Sequence, residues 1–339
     1  MVADPGGESL AASYDLLMFD LDGVVYLDGH AVDHAPEGVA ASREAGARIA
    51  FVTNNASRTP EEVARHLREL GVGAEADDVV TSSQAAARLL VDHHGTGARV
   101  AVLGAEGLWA ALGQAELEPV VVGDPDVVAI VTGYAPEVRW KTIMRAALEI
   151  RNGLPWVATN TDPTLPTGEG PAPGHGALVA MISGFAGVSP DVAGKPERPL
   201  LDETVRRVGG DRPLMVGDSL HTDIAGAHRA GLDSLLVLTG VTGLPELVAA
   251  RPDQRPTWVG QDLRALGRPG RAAQDHDGRW QADGWSATVA GGRLHLEGRG
   301  GPDGWWAAAG AAAWAHLDDA GDPVDVSDLS PPGQGTAAG

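Results

Sequence analysis

Short apolar runs alternate with amphipathic stretches along most of this chain. The run "YDLLMFD" (Tyr14–Asp20) is continuous and ends in aspartate, which is typical of a parallel strand buried on both faces. A second run, "ARIAFVTNN" (Ala47–Asn55), also ends in polar residues. The stretch "TPEEVARHLRELG" predicts a helix that has Thr59 as its N-cap and Pro60 in its first turn, and that ends at Gly71.

The same alternation continues to about residue 262. It runs through "SSQAAARLLVDHHG", "RVAVLG", "VVVGDPDVVAIVTG", "VRWKTIMRAALEIRNG", "PWVATNTD", "RPLLDETVRRVGG", "RPLMVGDSLHTDIAGAHRAG", "LDSLLVLTG" and "PTWVGQDL". Alternating strands and helices predict an α/β fold with a doubly wound parallel sheet. In such a fold, functional sites lie at the carboxyl ends of the strands.

The C-terminal part of the chain has a different character. "GRPGRAAQDHDG" predicts a linker, "RWQADGWSATVAGGRLHLEG" predicts strands joined at Gly291–Gly292, and "GWWAAAGAAAWAHLDD" predicts an alanine-rich helix. The tail "SPPGQGTAAG" is predicted to be disordered. This region weakly resembles the strand–loop–helix that binds the pyrophosphate of coenzyme A in acetyltransferases, but Pro302 replaces the first glycine of that loop. The alternatives are packing on the core and dimerisation through exposed tryptophans.

Composition narrows the class of protein. The chain has 46 acidic and 25 basic residues, and its net charge of -21 disfavours binding to nucleic acid and to anionic membranes. It has no cysteine, which excludes disulfides and thiolate metal sites and fits a reducing cytoplasm. The N-terminal "MVADPGGESLAASYD" lacks the basic and apolar segments of a signal peptide, so we expect a cytoplasmic protein.

Four predicted strand ends carry chemically useful side chains. In chain order these are Asp20 with Asp22, Thr53-Asn54-Asn55, Lys195, and Asp218 with Asp223. Because every strand–helix loop of a parallel sheet opens at the same edge, the fold can bring these groups together. The two carboxylates at Asp20 and Asp22 would repel each other, and a cation is one way to offset that repulsion.

These side chains suit phosphoryl transfer from a monoester. One carboxylate can attack phosphorus, and a second can protonate the leaving alkoxide and then activate water. Mg²⁺ prefers a few carboxylates together with water and substrate oxygens, and Asp218 would supply a further carboxylate. The Thr53 hydroxyl and a lysine ammonium can bind phosphoryl oxygens. The chain has only two lysines, Lys141 and Lys195, so lysine at position 195 indicates that a compact ammonium is needed there.

At these positions the sequence resembles a known family. "DLDGVVY", "TNN", "GKPERPL" and "GDSLHTDIAGA" resemble the four motifs of the haloacid dehalogenase-like superfamily. The resemblance covers roughly residues 14–262. It is closest to the type IIA phosphatases, a group that contains p-nitrophenylphosphate, phosphoglycolate and glycerol-3-phosphate phosphatases.

The resemblance implies a role for each of these residues. Asp20 would be the nucleophile and Asp22 the general acid and base. Mg²⁺ would be bound by the Asp20 carboxylate, the Asp22 backbone carbonyl and Asp218, with Asp223 in support. The phosphoryl and substrate contacts would come from Thr53, Asn54, Asn55, Lys195 and His175.

The resemblance also implies a domain arrangement. A Rossmannoid core would comprise residues 1–84 and 191–267, and an α/β cap would be inserted at residues 85–190. Residues 268–339 would form the linker, the small C-terminal segment and the tail. Within the cap, "ATNTDPTLPTGEGPAPGHGALVAM" resembles the segment that faces the substrate, which places His175 near the leaving group.

The sequence therefore predicts a Mg²⁺-dependent phosphatase that hydrolyses small phosphomonoesters through an aspartyl-phosphate. Glycerol 3-phosphate is the first candidate and phosphoglycolate the second, while sugar phosphates, nucleoside monophosphates and pyridoxal phosphate stay open. A homodimer is a further expectation. The rival hypothesis is a nucleotide-binding sensor, because "RVAVLGAEGLWAAL" is followed by Asp124 at a suitable distance. Its glycines Gly104 and Gly107 lack the middle glycine of the dinucleotide fingerprint.

Overall fold

The computed structural model describes residues 7–165, 167–168 and 170–332. The end of the tail that was predicted to be disordered lies outside the described residues. The strands are β1 (Leu16–Phe19), β2 (Tyr26–Leu27), β3 (His30–Ala31), β4 (Arg48–Thr53), β5 (Val79–Thr81), β6 (Arg99–Leu103), β7 (Glu118–Val121), β8 (Ala129–Thr132), β9 (Trp156–Ala158), β10 (Thr164–Leu165), β11 (Ala172–Pro173), β12 (Asp191–Val192), β13 (Pro213–Gly217), β14 (Asp233–Val237), β15 (Trp258–Gly260), β16 (Gln274–His276), β17 (Arg279–Ala282), β18 (Trp285–Ala290) and β19 (Arg293–Gly298).

The α-helices lie between these strands, as the alternation predicts. They are α1 (Leu10–Ser13), α2 (Ala35–Glu44), α3 (Pro60–Glu69), α4 (Ser82–His94), α5 (Glu106–Gln114), α6 (Trp140–Arg151), α7 (His175–Ala186), α8 (Pro199–Val208), α9 (Ala225–Ala230), α10 (Leu244–Val248) and α11 (Pro302–Ala320). A single π-helical turn, Leu220–Ile224, precedes α9. Among the described residues, no helix has both the length and the apolar character that a bilayer crossing requires.

The chain divides into two compact units. The first consists of the residues up to Ile49 together with those from Gly210 onward, and the second is Ala50–Gly209. The core and cap ranges that the sequence suggests stay predictions. Each unit contains a parallel sheet with helices, so the α/β fold class is confirmed.

The first unit is built on the parallel strand order β15-β14-β13-β1. All four residues of β1 are fully buried, as its continuous apolar sequence predicts. The pairing of β1 with β13 sets Phe19 opposite Val216. The backbone N–H of Asp20 continues this ladder by donating to the Val216 carbonyl at 2.9 Å. The first candidate carboxylate is therefore fixed by the sheet itself.

The C-terminal segment is an antiparallel sheet, in the order β16-β17-β18-β19, followed by α11. The predicted hairpin forms at Gly291 and Gly292, whose φ values of 58° and 76° suit glycine. Trp305 and Trp306 belong to a core cluster that also contains Leu247. The segment thus packs within the first unit. These two tryptophans are 4% and 1% exposed, so neither offers a dimer contact, whereas dimerisation through the other tryptophans of the segment stays a prediction.

The second unit contains a five-stranded parallel sheet in the order β12-β9-β8-β6-β7. Helices α6 and α7 cover this sheet through an apolar cluster that includes Ile143, Ile150 and Ile182. The parallel pairing of β4 with β5 sets Thr53 opposite Thr81. Helix α3 begins as predicted, with Thr59 and Glu62 forming reciprocal capping hydrogen bonds of 2.9 and 3.3 Å.

Candidate active site

Two buried aspartates in the first unit follow β13. Asp218 is 3% exposed and Asp223 is fully buried. Asp223 Oδ2 accepts hydrogen bonds from the backbone N–H groups of Asp218 and Ser219, both at 3.1 Å. Asp218 Oδ2 accepts from the Val241 N–H at 2.7 Å. These backbone donors compensate part of the negative charge that burial makes costly.

Glycines allow the chain to pass close to these carboxylates. A Cβ on Gly240 would lie 1.8 Å from Asp218 Oδ2, and one on Gly23 would lie 2.4 Å from the same atom. A Cβ on Gly217 would lie 2.2 Å from the Asp223 Cβ. Real Cβ atoms do not approach other atoms so closely. A side chain at any of these glycines would therefore displace Asp218 or Asp223 from its observed position.

The carboxylates of Asp20, Asp218 and Asp223 converge. One oxygen from each lies within 4.8 Å of the others. Three oxygen donors at this spacing fit a hard divalent cation such as Mg²⁺, which would offset their mutual repulsion. The residues expected to hold or support the metal through their side chains are therefore brought together in one unit.

Asp22 differs from these three because its side chain is exposed. It lies in the turn after β1, where the Gly23 N–H donates to the Tyr26 carbonyl at 2.8 Å and the Thr239 hydroxyl donates to the Gly23 carbonyl at 2.6 Å. An exposed carboxyl two positions after Asp20 can exchange protons with solvent, as a general acid and base must. Its catalytic role stays a prediction.

The second unit contains the predicted phosphoryl-binding residues. Lys195 is buried at 2% exposure, and its Nζ lies 3.4 Å from the Val52 carbonyl oxygen. Asn54 bonds the Lys195 backbone twice: its Oδ1 accepts from the Lys195 N–H at 2.8 Å, and its Nδ2 donates to the Lys195 carbonyl at 3.0 Å. Asn54 Nδ2 also donates to both carboxylate oxygens of Asp162 at 3.1 Å.

Thr53 and Asn55 form the turn after β4. Thr53 is buried, and its Oγ1 accepts from the Asn55 N–H at 3.0 Å. Asn55 is exposed, and its Oδ1 accepts from the Ser57 N–H and hydroxyl at 2.9 and 2.8 Å. Both side chains thus shape the loop, and their contact with a phosphoryl group stays a prediction.

His175 is the first residue of α7 and is only 3% exposed. Its Nδ1 lies 2.8 Å from the Asn160 carbonyl oxygen, so that nitrogen carries the proton. Burial lowers the pKa of His175 to about 4, against the weaker opposing effect of this hydrogen bond. Nε2 is buried and has no hydrogen-bond partner among the described residues. The neutral imidazole is therefore anchored to the chain, and its substrate contact stays a prediction.

Sequence reasoning missed Asp162, Asn160 and Ser82 as parts of this unit's polar network. The backbone carbonyl oxygen of Asn54 accepts hydrogen bonds from the Ser82 hydroxyl at 2.6 Å and from Asn160 Nδ2 at 2.7 Å. The available signal was the polar run "TNTD" directly after β9, because polar residues at a strand's carboxyl end are candidates for a site.

The glycines of the rival nucleotide-binding hypothesis have a packing role. The Gly107 N–H donates to the Ser57 carbonyl at 3.1 Å, and a Cβ on Gly107 would lie 2.4 Å from the Arg58 carbonyl oxygen. The start of α5 is thus covered by backbone. Asp124, the candidate ribose ligand, lies 3.9 Å from the Arg99 guanidinium. These contacts account for the motif without a nucleotide.

Comparison with known proteins gives matches across both units. The family of haloacid dehalogenase-like hydrolases matches residues 17–118, and a HAD-hydrolase-like family matches residues 192–266. The D-glycerol 3-phosphate phosphatase of Mycobacterium tuberculosis is 44% identical over 286 residues, which are 83% of this chain and 80% of that protein.

Two solved structures show the same fold. The glycerol phosphate phosphatase from Mycobacterium tuberculosis in complex with magnesium has a TM-score of 0.83 and 41% identity, covering 91% of this chain and 92% of that one. A 4-nitrophenylphosphatase from Thermotoga maritima has a TM-score of 0.70 and 31% identity, covering 76% and 98%. With its converging aspartates and these relatives, the chain belongs to the haloacid dehalogenase-like hydrolases and is a phosphoric monoester hydrolase.

Proposed function

We propose that this protein is a Mg²⁺-dependent phosphatase that hydrolyses glycerol 3-phosphate. The convergence of Asp20, Asp218 and Asp223 within 4.8 Å carries the metal-dependent part of the proposal. The substrate is supported by the 44% identity to a D-glycerol 3-phosphate phosphatase over most of both chains. Phosphoglycolate is the second candidate, because the same group of phosphatases acts on it.

In this proposal the reaction proceeds in two steps. Asp20 attacks phosphorus and forms an aspartyl-phosphate while Asp22 donates a proton to the leaving alkoxide; Asp22 then takes a proton from the water that cleaves the acyl-phosphate. When Mg²⁺ is bound by Asp20, Asp218 and the Asp22 carbonyl, its charge offsets the repulsion between carboxylates and phosphate. Asp223 holds the backbone that carries Asp218.

The family's motif assigns the phosphoryl contacts to Thr53, Asn54, Asn55 and Lys195. A lysine contributes a compact positive charge, which stabilises the charge that develops on the phosphoryl oxygens. The neutral state of His175 supports a hydrogen-bonding rather than a charged role for that residue toward the substrate.

The test is release of inorganic phosphate from a panel of esters, with Mg²⁺ or with EDTA, beside the variants Asp20→Asn and Asp22→Asn. The panel contains glycerol 3-phosphate, phosphoglycolate, a sugar phosphate, a nucleoside monophosphate and pyridoxal phosphate. We expect Mg²⁺-dependent release that is fastest with glycerol 3-phosphate and absent in Asp20→Asn, with Asp22→Asn strongly impaired. Normal turnover in a folded Asp20→Asn variant contradicts the mechanism, and faster release from another ester changes the substrate.

We also propose that the protein acts in the cytoplasm and self-associates as a homodimer. An exposed apolar face on α6 and α7 supports self-association, with Trp140 62%, Met144 53% and Phe185 47% exposed. Sedimentation of the wild type beside Trp140→Glu tests this: a dimer that the variant weakens is expected, and a wild-type monomer at micromolar concentration contradicts it.

A further inference from the structure

The side-chain amide of Asn54 has no hydrogen left to offer a ligand. A primary amide carries two N–H hydrogens. One of these from Nδ2 is directed to the Lys195 carbonyl at 3.0 Å, and the other is shared by the two Asp162 oxygens at 3.1 Å. Donation to a phosphoryl oxygen would break one of these bonds, so the geometry does not favour Asn54 as a direct phosphoryl ligand.

The contact between Asn54 and Lys195 is a two-bond clamp. The amide of Asn54 pairs with the N–H and the carbonyl of Lys195 in the way that a neighbouring strand would. The approach is close enough to require glycine before the lysine, since a Cβ on Gly194 would lie 2.6 Å from Asn54 Oδ1. The clamp therefore fixes the backbone at the root of a long, flexible side chain.

Asn54 is itself fixed at both ends. Its backbone carbonyl oxygen accepts hydrogen bonds from the Ser82 hydroxyl and from Asn160 Nδ2. The Asp162 carboxylate is an acceptor only, so it forces Nδ2 rather than Oδ1 to face it. That orientation in turn places Oδ1 toward the Lys195 N–H. Asp162 thus selects the one amide orientation that can clamp the lysine.

We propose that Asn54 is a positioning residue for Lys195, and that Asp162 orients it. The inference rests on the proposed function, because Lys195 matters as the cation for a phosphoryl group. The electrostatic contribution of an ammonium depends on its distance from the charge it stabilises, and a lysine stem has many rotamers. Fixing the lysine backbone reduces that freedom, and the residue is 2% exposed.

The first test measures Lys195 directly. Since Lys141 and Lys195 are the only lysines, acylation followed by peptide mass spectrometry reports both, with the exposed Lys141 as an internal reference. We expect Asn54→Ala to raise the acylation rate at Lys195 by about tenfold, because the clamp's two hydrogen bonds are lost. Asp162→Ala is expected to raise it by a smaller factor. Asn152→Ala is the matched control, because Asn152 is an exposed residue of the same unit that directly follows α6, and this variant should leave the rate unchanged.

The second test is a double-mutant cycle on phosphate release. Asn54→Ala and Asp162→Ala are each expected to lower kcat/KM, and the double variant should be no worse than Asn54→Ala alone because both act through one clamp. Additive losses, or an unchanged Lys195 acylation rate in a folded Asn54→Ala variant, overturn the inference. If Asn54→Ala does not fold, Asp162→Asn supplies the same two readouts.

The two proposals can fail separately. A wild type that releases no phosphate from any ester refutes the proposed function, while the acylation rates still decide whether Asn54 and Asp162 position Lys195. Conversely, if the enzyme is active and neither substitution changes the acylation rate of Lys195, the proposed function stands and the positioning role of Asn54 and Asp162 is refuted.

Discussion

Asp223 Oδ2 accepts hydrogen bonds from the backbone N–H groups of both Asp218 and Ser219, each at 3.1 Å. A helix N-terminal acid that served only the helix dipole would not need to be fully buried, yet Asp223 is 0% exposed. Its carboxylate instead determines the path of the chain at Asp218. The carboxyl group that is proposed to bind the metal is therefore positioned by a second carboxyl group five residues later.

Asp223→Ala is expected to destabilise the fold and to weaken Mg²⁺ activation. Removing the acceptor leaves two backbone N–H groups unsatisfied, which should lower the free energy of unfolding by about 3 kcal/mol. Asp223→Asn keeps one acceptor oxygen and serves as the matched control with a smaller loss. Urea unfolding measures the first effect and a Mg²⁺ titration of phosphate release the second. An Ala variant as stable as the wild type refutes this account of Asp223.

Gly240→Ala is expected to displace the Asp218 carboxylate, since the new Cβ would lie 1.8 Å from its Oδ2. We expect the Mg²⁺ concentration for half-maximal activity to rise by about 10–100-fold. Gly267→Ala is the control, because nothing lies within 4 Å of a Cβ at that exposed position. Calorimetric Mg²⁺ titration of both variants checks the prediction. Equal affinities in the two variants argue against Asp218 as a metal ligand.

The local parts of this structure were predictable because their causes are local. The apolar run before Asp20 predicts β1, and Thr59 with Glu62 predicts the start of α3; both follow from residues within a few positions of each other. The clamp between Asn54 and Lys195 joins residues 141 positions apart. A motif assigned Asn54 to the phosphoryl group, but only the folded chain shows that its amide hydrogens are already used.

The protonation state of His175 likewise depends on the folded structure and could not be predicted from the sequence. The sequence placed it at a substrate-facing segment, but burial rather than neighbouring charge decides its protonation. A folded pKa of about 4, below the ordinary value of 6.5, means that the unfolded state binds the proton first as the pH falls. The free energy of unfolding should therefore decrease between pH 6.5 and pH 4, by about 3 kcal/mol in total, and this decrease should level off below pH 4.

The measurement is urea unfolding of the wild type and of His175→Gln from pH 7 to pH 4. Glutamine retains a donor for the Asn160 carbonyl but does not titrate. We expect the wild-type advantage to shrink as the pH falls through this window. Parallel curves for the two proteins would show that His175 keeps an ordinary pKa in the fold.

The burial of Trp306 depends on the tertiary fold and does not follow from the local sequence pattern. The residue is 1% exposed, and its ring packs edge-to-face on Trp305 with 4.8 Å between the ring centroids. Both tryptophans belong to the core cluster through which α11 packs in the first unit. Its Nε1 is buried and has no hydrogen-bond partner among the described residues. The ring therefore stabilises the C-terminal segment by packing, while its N–H group works against that stability.

Two substitutions separate these effects. Trp306→Ala removes the ring and should lower the free energy of unfolding by about 3–5 kcal/mol. Trp306→Phe loses part of the ring but also removes the unsatisfied donor, so its cost should stay within about 1.5 kcal/mol. Urea unfolding followed by circular dichroism measures both. We expect a single unfolding transition that shifts in Trp306→Ala, because Trp306 shares one core with Leu247 and Val259. A separate transition for the C-terminal segment, with the main transition unchanged, would show instead that the segment is an independent module.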